Sequence, residues 1–186
     1  ELYLEKKENL LALPSDIAAF VFLNEMKNYP TEESFTYLLQ NYEHTTDTSL
    51  KQALGKSIVF VNNEQLLDRL VDNLKNAEII KPQDLRQWFA GLLSNPKSEQ
   101  KAWDWLRNNW DWLEKTVGGD MEFSTYILVL SRRFKTKERL EEFEKFFNPM
   151  INQPALTREI TMSKRVIESR IKLIEAQEKA VKEALR

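Results

Sequence analysis

Residues 31–70 read TEESFTYLLQNYEHTTDTSLKQALGKSIVFVNNEQLLDRL, and their spacing decides the fold class. Thr31-Glu32-Glu33 follows Pro30 and precedes Phe35, Leu38 and Leu39. Asp47 precedes Leu50, Ala53, Leu54 and Ile58. Asn63 precedes Leu66, Leu67 and Leu70. In each case a side-chain oxygen stands where it can accept from a free N–H of a first helical turn. Apolar residues then recur at steps of three and four. Upstream, Ser15-Asp16 after Pro14 opens a further run through Ile17, Phe20, Val21 and Leu23. The four starts fall at 15, 31, 47 and 63, a spacing of 16 residues. That leaves room for about three helical turns and a short connector. Ser57-Ile58-Val59-Phe60-Val61 is locally β-prone, but it ends an amphipathic run and is read as helix.

The same grammar continues downstream. Pro82 suits a first helical position and opens a helix to Leu93. Asn95-Pro96 breaks the chain, and Ser98-Glu99 reopens it. Gly118-Gly119-Asp120 marks a stop, and Thr136 starts a helix that runs to Phe147 before Asn148-Pro149. From Thr157 the residues Ile160, Ile167, Ile171, Ile174, Val181 and Leu185 keep to one face of a long amphipathic helix. The expected architecture is all-α, with antiparallel helical hairpins stacked as a HEAT-like α-solenoid or superhelical bowl. It is expected as a single domain over 1–186, with a possible seam near 118–119.

Composition agrees with helices. Of 186 residues, 42% are hydrophobic, enough for a core, while 4 Gly and 6 Pro supply few turns. The net charge of −2 gives no electrostatic reason to expect nucleic acid or an anionic membrane as partner. No apolar run reaches the roughly 20 residues of a membrane span. The absence of Cys removes disulfides and thiolate chemistry and suits a reducing cytoplasm. The opening Glu1-Leu2-Tyr3-Leu4 is neither an initiator Met nor a signal peptide, so a longer parent polypeptide is expected.

No residue pattern marks a catalytic, cofactor-binding or metal-binding site. His44 is the single histidine and has no partner in an H-E-x-x-H pattern; it reads as a surface residue. Glu141, Glu142 and Glu144 alternate with Arg139 and Lys145, as on a solvated helix face with ion pairs. Arg132, Arg133, Lys135, Lys137 and Arg139 form the densest basic stretch. It can serve an anion or simply the negative end of a helix. On one helix, Trp103, Leu106, Trp110 and Leu113 would share a core face. Trp105 and Trp112 would lie on a neighbouring face, where a partly exposed stripe can anchor another domain. Asp104 and Asp111 interleave where a nucleic-acid binder would place cations.

These residues carry a resemblance. Lys51-Gln52-Ala53-Leu54-Gly55, Gln83-Asp84, and Ala102-Trp103 with Leu106, Asn109-Trp110 and Leu113 come first. Then follow Thr136, Glu138, Leu140, Phe146-Phe147, and the helix with Ile167, Arg170, Ile171 and Ile174. From about residue 46 onward the chain resembles the C-terminal helical domain of bacterial-type zinc metallopeptidases of the aminopeptidase N family. Trp103 to Trp110 followed by Phe146-Phe147 is the most specific part.

The resemblance implies a parent hydrolase that removes N-terminal residues from peptides. Its zinc, H-E-x-x-H and G-A-M-E-N segments would belong to an upstream catalytic domain. Gly118-Gly119-Asp120-Met121-Glu122 is not that last segment. The implied role is a non-catalytic cap that encloses the active-site chamber. Its partners would be the catalytic domain of the same polypeptide and, through the concave face, peptide substrate. Which residues would touch the substrate is not readable from spacing. The alternatives are a free-standing HEAT-like scaffold for protein partners and, third, a helical nucleic-acid binder.

Overall fold

The computed structural model describes residues 2–7, 9–118 and 123–185, and every ordered element among them is helical. The chain separates into two compact units, residues 1–108 and 109–186.

The first unit holds α1 (Leu2–Lys6), a 3-10 turn (Leu10–Ala12), α2 (Ser15–Asn28), α3 (Glu32–His44), α4 (Thr48–Ile58) and α5 (Glu64–Asp72). A second 3-10 turn (Asn73–Lys75), α6 (Pro82–Ser94) and α7 (Glu99–Asn108) complete it. Three expected caps are formed. Thr31 accepts from Ser34 N at 3.0 Å, Asp47 from Leu50 N at 2.7 Å, and Asn63 from Leu66 N at 3.1 Å. Thr31 and Ser34 close a reciprocal capping box, since Ser34 Oγ also accepts from Thr31 N. At α2 the cap is Pro14 and Ser15 is already helical, so the helix starts one residue earlier than expected.

α2 packs chiefly on α4, and α4 also meets α3 and α6. The burial of Phe22, Met26, Phe35, Leu38, Leu54, Trp88 and Phe89 makes the core of this unit. Polar side chains stitch the crossings. Ser57 Oγ donates to the carbonyls of Ala53 and Ala19 at 2.7 and 3.0 Å, and Asn95 Nδ2 donates to Val59 O at 3.0 Å.

That last contact accounts for a difference from the expected helix over 57–61. α4 stops at Ile58, and Phe60 N and Val61 N close turns onto Ser57 and Ile58. Val59 and Val61 are buried against neighbours, and Asn62 N is taken by Met26 O. Tertiary hydrogen bonds replace the helical ones, so the apolar run ends as a packed corner.

The second unit holds α8 (Trp110–Val117), α9 (Thr125–Ser131), α10 (Lys137–Phe147) with a 3-10 turn (Asn148–Met150), and α11 (Thr157–Ala184). α11 packs on α9 and α10. Thr136 caps α10 through Arg139 N at 3.3 Å, as its sequence position requires. Trp110 sits among Phe123, Phe146 and Phe147, with ring centroids at 4.8, 5.9 and 5.3 Å.

Two sequence expectations change here. The run from Trp103 to Leu113 is not one helix, because Asn109 (φ −123°, ψ 18°) breaks it into α7 and α8. Trp103 and Leu106 therefore belong to the first unit's core, and Trp110 and Leu113 to the second's. Along α11, Ile160, Ile167 and Ile171 are buried. The same face farther on, at Ile174, Val181 and Leu185, is exposed. Of the expected stop at 118–120, Gly118 closes α8, while Gly119 and Asp120 lie outside the described residues.

Candidate functional site

His44 ends α3, exposed, with Nδ1 at 2.8 Å from the Gln40 carbonyl one turn back. It borders a polar hollow of about 420 Å³ with Asn9, Tyr37, Gln40, Asn41 and Thr45. Glu142 is held by Arg139 at 2.8 Å, Glu144 pairs with Lys164, and Glu141 is exposed. Among the described residues no three His, Cys, Asp or Glu side chains converge as metal ligands.

The basic stretch divides. Lys137 pairs with Glu175 at 2.7 Å. That hydrogen bond and charge raise the lysine pKa. Arg139 pairs with Glu142 and stacks over Phe134 at 5.4 Å. Arg132, Arg133 and Lys135 stay exposed on the connection after α9. The Trp residues divide too. Trp103 is fully buried under the Arg107 guanidinium at 4.9 Å, and Arg107 pairs with Asp104. Trp105 is buried against Phe89 rather than displayed, and Trp112 is half-buried. Of the expected outer Trp stripe, Trp105 is core and Trp112 stays partly exposed.

The concavity with the best-defined chemistry was not anticipated from sequence. A groove of about 600 Å³ opens between the N-terminal residues and α2, walled by Tyr3, Leu4, Ile17, Phe20 and Val21. A hollow of about 300 Å³ shares Tyr3, Leu4, Glu25 and Thr31 with it and adds Lys7, Glu33, Ser34 and Tyr37. Glu25 lines both and is only 8% exposed. Burial raises its pKa, and hydrogen bonding with Ser34 and the charge of the chain's amino terminus oppose that. Burial also pushes the Tyr3 phenol well above its ordinary range, keeping a neutral hydroxyl beside the carboxyl group. Tyr37 donates its hydroxyl proton to the Lys7 carbonyl, which ties the N-terminal residues to α3. Helical periodicity did not single out Glu25. The one local signal is an acid placed directly before Met26 on the buried side of α2.

The molecule so described is all-helical among its described residues, with a groove built on its first three helices. The chain belongs to the ERAP1-like C-terminal domain family, which matches residues 1–169. It is 48% identical over its whole length to aminopeptidase N of Lactobacillus delbrueckii subsp. lactis and 45% identical to aminopeptidase N of Lactobacillus helveticus. Human glutamyl aminopeptidase is 29% identical over 74% of the chain. The chain spans 22% of the length of the two bacterial relatives and 14% of the human one. The resemblance read from Trp103, Trp110 and Phe146-Phe147 is thereby established. No helix among the described residues is long and apolar enough to cross a membrane.

Proposed function

We propose that residues 1–186 serve as the non-catalytic C-terminal capping domain of a cytoplasmic zinc aminopeptidase that removes N-terminal amino acids from peptides. The observation that carries this reading is the 48% identity over the entire chain to a protein named aminopeptidase N, of which the chain spans only 22%. The zinc and the bond-breaking groups belong to the remainder of the parent polypeptide. The cap's work is to enclose the chamber, exclude bulk water and limit which peptides enter. In this reading the evenly spaced helices from α2 to α7 are stacked hairpins of a HEAT-like bowl, with polar and basic groups facing the substrate's far end. The capped starts at Thr31, Asp47 and Asn63, with short connectors between them, support that arrangement.

The direct test is association. The parent enzyme truncated before this domain is mixed with the purified 186-residue chain, and the two are followed by size-exclusion chromatography and by hydrolysis of a leucine anilide. The proposal expects a 1:1 complex, and no hydrolysis by the chain alone. A chain that ignores the truncated enzyme and instead captures other proteins would favour a free-standing scaffold.

A further inference from the structure

The cations of α11 divide by side. Lys164 pairs with Glu144 of α10, Lys182 pairs with Glu178, and Arg170 donates to the carbonyls of Ser131 and Phe134. Arg158, Arg165 and Lys172 follow one another at seven-residue steps. On a helix that spacing makes a single row, about 21 Å long. All three are exposed, and none is paired among the described residues. The net charge of −2 conceals this row, because the chain as a whole holds 29 acidic against 27 basic residues.

Beside the row, Met162, Val166 and Leu173 are 47%, 41% and 56% exposed. Steps of four and seven put these three on one face, with the cations along its edge. The opposite face carries Ile160, Ile167 and Ile171, buried where α11 packs on α9 and α10. α11 thus has an apolar face inside its unit and a second one turned to solvent and edged by unpaired cations.

We propose that the outer face of α11 rests on an anionic phospholipid surface. Arg158, Arg165 and Lys172 reach headgroup phosphates, while Met162, Val166 and Leu173 enter the boundary with the acyl chains. Positive charge and apolar area on one helix face are the two terms that hold a peripheral helix there. A fluid array of phosphates also suits cations that no neighbour fixes in one geometry. Antiparallel pairing with a second copy does not, because it would set one cation row against the other. Each Lys or Arg near such a surface strengthens binding about fivefold, which makes the contact reversible and salt-sensitive. The helix lies along the surface, and no described helix is long and apolar enough to cross a membrane.

The test is co-sedimentation of the full parent enzyme, and of the 186-residue chain, with vesicles. One set is phosphatidylcholine alone and the other an equal mixture with phosphatidylglycerol. Both proteins are expected to partition onto the mixed vesicles about tenfold more strongly or better, and added salt should release them. Arg158→Gln, Arg165→Gln and Lys172→Gln combined should lower that partition about fivefold for each charge removed. Their melting temperature should not change, since the three side chains pair with nothing described. Met162→Gln with Leu173→Gln should weaken binding several-fold and keep its salt dependence.

A parent enzyme that ignores the mixed vesicles overturns the proposal, and so does equal binding to neutral ones. Binding by the 186-residue chain alone overturns it too, because the rest of the parent then covers this face. A triple variant that partitions like the unmodified chain assigns the lipid to another surface. A triple variant that loses its complex with the truncated enzyme assigns the face to that enzyme instead.

Discussion

The guanidinium of Arg170, midway along α11, donates from Nη1 to the carbonyl of Ser131 at 2.8 Å and to that of Phe134 at 3.3 Å. Ser131 is the last residue of α9, so a cation satisfies carbonyl oxygens that a helix end leaves without intrahelical donors. The contact fixes α11 to the end of α9 from 39 residues away. It is reinforced where Ser163 Oγ donates to Ile127 O at 3.3 Å. Arg170→Met keeps the stem and removes the donors. It is expected to destabilise the second unit by about 1–3 kcal/mol, the range for a lost charge-assisted hydrogen bond with a carbonyl left unpaired. Urea unfolding followed by circular dichroism checks this, with Arg170→Lys recovering part of the loss.

Gly91 in α6 lies against the corner at Val59. A Cβ there would stand 2.7 Å from Val59 Cγ2, inside contact distance of a branched side chain with no freedom to swing away. Gly91→Ala is therefore expected to destabilise by about 1–3 kcal/mol, although alanine is the better helix former. Gly55→Ala would meet Tyr42 Cε2 at 3.2 Å and should cost less. Differential scanning calorimetry of the two variants gives the order, and equal melting temperatures would count against the tight α4–α6 crossing.

Trp110→Ala empties the centre of the Phe123, Phe146 and Phe147 cluster. A loss of about 3–5 kcal/mol is expected, as for a buried aromatic truncated to a methyl group. Trp110→Phe keeps most of the contact. Hydrogen exchange separates the outcomes: protection should fall in α10 and α11 while α2 to α6 hold theirs. A uniform loss over the whole chain would contradict the local account.

How far the sequence foresaw these features depends on how local each one is. Thr31, Asp47, Asn63 and Thr136 cap helices with donors three residues away, so their positions were readable. Asn109 was not readable as a break, because apolar spacing continues through it from Trp103 to Leu113. The exposure of Ile174, Val181 and Leu185 escaped as well. Periodicity reports a face but not whether a neighbour extends far enough to cover it. Arg170 was visible as part of a family pattern, yet its carbonyl partners lie across the fold. The Glu25 groove joins residues from Tyr3 to Tyr37 through tertiary contact, and no motif marks it.

Glu25 also sets a pH dependence. Because burial raises its folded pKa, the folded chain holds this proton more tightly than the unfolded chain does. Its contribution to stability is complete below the ordinary carboxylate range and is lost as the pH rises through the raised folded value. The described titratable groups sharing its hollow are Lys7, Glu33, Tyr3 and Tyr37, the Lys7–Glu33 pair is largely in solvent, and the chain's amino terminus opposes the rise without cancelling it. Melting temperatures of the 186-residue chain should thus decline across that window relative to Glu25→Gln. The glutamine variant should be at least as stable at pH 7. Parallel curves for the two proteins would remove Glu25 as the cause.

The proposed capping role has this domain govern which peptides reach a catalytic chamber built by the rest of the parent enzyme. The most direct measurement is kcat/KM for a dipeptide and for a decapeptide sharing the same N-terminal residue. It is made on the truncated enzyme with and without saturating 186-residue chain. A capping domain changes the ratio of the two values several-fold while releasing no amino acid by itself. A ratio unchanged on addition of a chain that demonstrably binds would contradict the capping role.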